Sequence, residues 1–91
     1  MKIADVPKSL KLEYAKYLDV VGKTNEALRF LTKELEENQD WESGFKRASI
    51  LYKKINNLRL ALEYGNRAYK LSKKQNDKIW VESLRKEIEN A

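Results

Sequence analysis

The chain has no cysteine and no histidine. Their absence removes disulfides, thiol nucleophiles, the commonest zinc sites and Ser-His triads together. A chain without cysteine also fits a reducing compartment, and a cytoplasmic location is the expectation. The first residues, Met1-Lys2-Ile3-Ala4-Asp5, lack the apolar core of a signal peptide. No stretch approaches 18 apolar residues, so no membrane-spanning helix and no membrane partner are expected. Proline occurs once and glycine three times, which leaves long stretches free of helix breakers.

What remains is a chain of 91 residues, 42% apolar and 36% charged. That is one domain's length and the balance of a helical domain with solvated faces. The net charge of +5 is unevenly spread. Residues 1–41 hold 7 basic and 8 acidic side chains, residues 42–75 hold 9 and 2, and residues 76–91 hold 3 and 4. The excess therefore lies in the middle third.

Trp41, Phe45, Ala48, Tyr52 and Ile55 recur at the spacing of one helix face. Asp40 precedes that run as an N-cap, and Asn56-Asn57 ends it. Upstream, Leu10, Tyr14, Leu18 and Val21 form a similar stripe. Asp5-Val6-Pro7 marks its start, with Pro7 early in the helix, and Gly22 serves as a left-handed C-terminal cap. Thr24 caps a helix carrying Ala27, Leu28, Leu31 and Leu35. A fourth begins near Leu58 and carries Ala61, Leu62, Gly65, Ala68 and Tyr69. A fifth starts at Asp77, with Trp80, Val81, Leu84 and Ile88 on one side. The spacing thus predicts an all-α chain of five helices over 7–21, 25–38, 41–55, 58–74 and 77–90.

A shift of 34 residues superposes these elements in pairs. Ala27-Leu28 falls on Ala61-Leu62, Phe30 on Tyr64, Leu18 on Tyr52, Val21 on Ile55 and Gly22-Lys23 on Asn56-Asn57. A helix-turn-helix unit of that period is the mark of the tetratricopeptide repeat. The residues resemble that family further. Phe45, Ala48-Ser49, Tyr52, Ala61, Gly65 and Ala68 stand at its patterned places in the second unit. Lys11, Tyr14-Ala15, Leu18, Ala27, Leu31 and Glu34 stand there in the first. Lys11 and Glu34 depart from the pattern, and Gln39 and Lys73 replace its terminal proline. The resemblance divides the single domain into repeat one at 8–41, repeat two at 42–75 and a capping helix at 76–91. It implies an antiparallel helix-turn-helix repeat array, an α-solenoid.

The same resemblance implies a concave, peptide-binding groove lined by the first helix of each unit. Its lining would comprise Leu12, Lys16, Asp19 and Val20, then Ser43, Lys46, Arg47, Ile50, Lys53 and Lys54, then Trp80, Leu84 and Glu87. One part has independent support. Ile50 lies off the Trp41–Ile55 stripe and is ringed at helical spacing by Lys46, Lys53 and Lys54, which suits a partner peptide with acidic and apolar groups. The bland alternative is a solvated lysine face with one stray isoleucine. The clamp of lysines and asparagines by which some family members grip a peptide carboxylate is not present: Leu12, Lys16, Arg47, Asp77 and Val81 stand at its places.

Other functions find less in the sequence. The basic middle unit invites nucleic acid, but no basic aromatic motif of a known nucleic-acid module accompanies it. Glu34, Glu36, Glu37 and Asp40 read as a solvated helix end rather than a metal site. Ser9, Ser43 and Ser49 lack a base, and Trp80 reads as packing. No catalytic, cofactor or metal residues are expected. Phe30 and Tyr64, at equivalent places, offer a convex patch for a homodimer, because two units and a cap lie near the lower limit for a solenoid.

Overall fold

The computed structural model describes residues 6–90. Five α-helices account for most of them: α1 (Lys8–Val20), α2 (Thr24–Glu37), α3 (Glu42–Lys54), α4 (Leu58–Ser72) and α5 (Gln75–Glu89). No strand occurs among the described residues. Each helix packs against the next through a connection of two to four residues, and α1 also touches α3. Short connections force successive helices antiparallel, so the chain is an all-α array of helix pairs measuring 47 × 29 × 18 Å. Every helix end falls within about two residues of the place its periodicity predicts.

The turns inside the two units are the same structure repeated. Gly22 sits at φ +85°, its N–H donates to the Asp19 carbonyl, and the Lys23 N–H donates to the Leu18 carbonyl. Thirty-four residues on, Asn56 sits at φ +64°, with its N–H on the Lys53 carbonyl and the Asn57 N–H on the Tyr52 carbonyl. Both are Schellman closures, which need a left-handed residue and use glycine or asparagine.

The start signals fared less well. Asp40 is exposed and forms no cap; Trp41 is the N-cap of α3, without a side-chain bond. Thr24 is already helical and its hydroxyl donates to Asp19 Oδ1 at 2.7 Å. Pro7 is the N-cap residue of α1 rather than its first turn, and Asp5 lies outside the described residues. α5 starts at Gln75, two residues before the expected start at Asp77, which sits inside its first turn. Asn57, by contrast, caps α4 by accepting from the Leu60 N–H.

The core runs along the array. Ala15, Leu18, Ala27, Leu28, Leu31, Leu35, Trp41, Phe45, Ala48, Leu51 and Ala68 form one buried cluster. Ala27 and Ala61, at equivalent places of α2 and α4, are fully buried. On α3 two rows are covered. Phe45 and Tyr52 meet Tyr64 of α4, with ring centroids 5.9 and 5.3 Å away. Ser49, in the same row, donates to the Ala61 carbonyl. Ala48 and Leu51, about a quarter-turn round the helix, face α2 and are fully buried.

On α1 only one row is covered. Lys11, Ala15 and Leu18 are buried against α2, whereas Leu10, Tyr14 and Val21 of the expected core stripe are 58%, 49% and 47% exposed. Those residues face outward at the end of the array, where no helix lies among the described residues.

The fifth helix is rotated relative to expectation. Asp77, Val81 and Leu84 are buried against α4 and match Gly44, Ala48 and Leu51 at an offset of 33 residues, not 34 (44 to 77, 48 to 81, 51 to 84). The connection explains it: α2 and α3 are joined by residues 38–41, α4 and α5 by Lys73-Lys74 alone, with Lys73 left-handed at φ 58°. The row that would pack a further second helix is Lys78, Glu82 and Arg85, all exposed. A charged outer row is what closes the end of a helical array.

Candidate functional site

The first helices do form a shallow crevice. Leu12 of α1 and Glu42, Ser43, Lys46, Arg47 and Ile50 of α3 surround about 180 Å³. Of the predicted groove residues the structure therefore brings together Leu12, Ser43, Lys46, Arg47 and Ile50. Helix geometry does this simply: positions 43, 46, 47 and 50 project from one side of α3.

The remaining predictions scatter. Lys16 is partly exposed and pairs with Glu13 at 3.3 Å on its own helix. Val20 is 82% exposed, two turns further along α1 than Leu12. Leu84 is fully buried and lines no groove. The one-residue slip of α5 is the reason: it turns the helix by about 100° and carries Leu84 from the concave side into the contact with α4.

Trp80 is half-buried and acts as packing. Its indole N–H donates to Ser49 Oγ at 2.8 Å. A Cβ on Gly65 would come within 3.0 Å of Ser49 Oγ and 3.3 Å of the Trp80 ring. Gly65 is therefore the place where α4 admits both side chains. Lys46 and Lys53 place their ammonium groups 5.4 and 5.2 Å from the Trp80 ring centroid, within cation–π range.

The three lysines ringing Ile50 are not a free basic face. Lys46 donates to Asp77 Oδ1, Lys53 lies 3.5 Å from Glu87, and Lys54 donates to Asp19 Oδ1 at 2.8 Å. Each ties α3 to a neighbouring first-type helix, Asp19 from α1 and Asp77 and Glu87 from α5. The electrostatics follow. Burial alone would push the Asp77 carboxyl up, but hydrogen bonds from Lys46 and Ser72 outweigh it and hold it below the ordinary carboxylate range. The hydrogen bonds from Lys54 and Thr24 likewise lower Asp19. Burial pushes the Tyr52 hydroxyl up, with Tyr64 adding to it.

Arg47 is the α3 cation without a close ion pair, although its charge still helps hold the Asp19 carboxyl down. It is half-buried at the crevice and makes no ion pair among the described residues. Glu42, on the rim and 3.8 Å from Lys74, was not anticipated; its spacing of four from Lys46 was the available signal. Phe30 and Tyr64 are both partly buried against the core. Tyr64 is stacked on Tyr52, and Phe30 meets Tyr14 edge-on at 5.0 Å.

The fold is an all-α array of packed helices, with a partly charged, partly apolar crevice between α1 and α3. No protein-family model matches the chain, and no curated protein matches it significantly. No described helix is long and apolar enough to cross a membrane.

Proposed function

We propose that this chain is a tetratricopeptide-type, non-catalytic recognition module whose α1–α3 crevice takes a short protein segment carrying an acidic and an apolar side chain. The observation that carries the reading is Arg47. A half-buried guanidinium without an ion pair among the described residues, beside Leu12 and Ile50, offers a carboxylate a two-pronged contact next to an apolar seat. The repeated Schellman turns at Gly22 and Asn56 and the buried Ala27 and Ala61 support the family assignment. So does the charged outer row of α5. A cytoplasmic scaffold or adaptor role fits a cysteine-free chain.

The pairing of Lys46, Lys53 and Lys54 with carboxylates weighs against nucleic acid, because those charges are already spent on neighbouring helices. A labelled random duplex should show no anisotropy change at low salt.

Selection from a displayed random-peptide library tests the main reading. Enriched sequences should pair Asp or Glu with a large apolar residue. Their binding should fall at least tenfold on Arg47→Glu or Ile50→Asp while helicity is kept. Peptides that bind both variants as well as the parent would place the site elsewhere.

A further inference from the structure

The outward row of α1 is an apolar face with a known counterpart. Leu10, Tyr14, Tyr17 and Val21 correspond, 34 residues on, to Gly44, Ala48, Leu51 and Ile55. In α3 the Ala48–Leu51 part of that row is fully buried, on a helix that packs against α2 as well as α4. The same row on α1 is 58%, 49%, 61% and 47% exposed. It is a surface shaped to be covered by a helix. Beside it, Val6, Lys11, Tyr14 and Phe30 wall a largely apolar hollow of about 390 Å³ between α1 and α2.

We propose that a second copy of this chain covers this face, α1 against α1 in antiparallel fashion, giving a two-fold dimer. The face is self-complementary in that register. Leu10 comes opposite the partner's Val21, and Tyr14 comes opposite the partner's Tyr17, which reaches the mouth of the hollow.

The opposite end of the array argues against head-to-tail stacking. Lys78, Glu82 and Arg85 face outward there, and covering them with the Leu10–Val21 row would bury charge against an apolar face. An isologous contact closes after two copies. Two partly exposed tyrosines with Leu10 and Val21 offer on the order of 400 Å² per copy. That is below the standard size of specific interfaces, so the dimer is weak and reversible. This proposal is independent of the crevice, which lies on another side of α1.

Sedimentation equilibrium of the whole chain over a micromolar-to-millimolar series tests it. The parent should move from monomer to dimer and no further. Tyr17→Glu, at an exposed position that tolerates charge, should weaken the dimer at least tenfold with helicity unchanged. Ile79→Glu on α5 and Ile50→Asp in the crevice should leave it intact. A monomer throughout the series, species larger than a dimer, or a dimer indifferent to Tyr17→Glu would each overturn the proposal.

Discussion

The two repeat units solve one packing problem with different chemistry. Where unit two places Phe45 of α3 near Ala68 of α4, unit one places Lys11 of α1 against Glu34 of α2. The Lys11 and Glu34 side chains are 9% and 13% exposed and their charged ends are 2.7 Å apart. The two departures from the repeat pattern are therefore a single compensated change. Phe45, 2% exposed, contributes apolar burial of about 2–3 kcal/mol. The ion pair gains Coulomb energy but loses hydration from both groups, and such pairs often contribute no more than an apolar pair of like volume. Unit one thus carries an ion pair within its packing and leaves an outer row open; unit two has an aromatic ring there and is covered on both sides.

That contrast can be broken at its strong end first. Phe45→Ala should cost about 3–5 kcal/mol in chemical denaturation, the range for truncating a fully buried aromatic. A loss under about 1 kcal/mol would mean that the ring is not central to unit two.

The ion pair should give the next largest effect, and it depends on which partner is left. Lys11→Ala strands the Glu34 carboxylate at low exposure and should cost about 2–3 kcal/mol. Replacing both, as Lys11→Phe with Glu34→Ala, gives unit one the chemistry of unit two and should be neutral or stabilising by about 1 kcal/mol. A double mutant as weak as Lys11→Ala would show that the charges themselves hold α1 in place.

Acid probes the links between α3 and its neighbours. Asp19 and Asp77 both have lowered pKa values in the folded chain. Their contribution is present above the unfolded value of 3.8 and is lost as pH falls through the lower folded value. Stability should therefore decline as the solution is taken below about pH 4. Asp77→Asn, measured by circular dichroism at fixed denaturant, should flatten that decline, and an unchanged slope would remove Asp77 from it.

The two turns provide the gentlest comparison. Gly22→Ala forces a Cβ into a left-handed position and should cost about 1 kcal/mol, although no other group crowds the site. Asn56→Gly makes the second turn match the first and should gain a few tenths of a kcal/mol. Thermal midpoints that move in the opposite order would contradict the equivalence of the two closures.

The features legible in the sequence are those that repeat locally. Five helices, their approximate ends, the 34-residue unit and the left-handed turn at Gly22 all follow from spacing and residue size. Part of the crevice was legible for the same reason, since Ser43, Lys46, Arg47 and Ile50 share one helix side whatever the neighbours do. The N-caps at Asp40 and Thr24 were not, because a carboxylate or hydroxyl near a helix start has other partners to choose from, such as Asp19 for Thr24.

Sequence alone thus determined the elements and their order. Only the tertiary structure decided which apolar row of α1 is covered, because Leu10 and Tyr14 read as core by periodicity and burial depends on a neighbouring helix. Only it decided that Leu84 belongs to the core: the two-residue connection Lys73-Lys74 sets the rotation of α5, and one residue of slip turns a helix face by about 100°. And only it showed that the lysines around Ile50 are paired, because Asp19, Asp77 and Glu87 reach them from α1 and α5 once the three helices stand side by side.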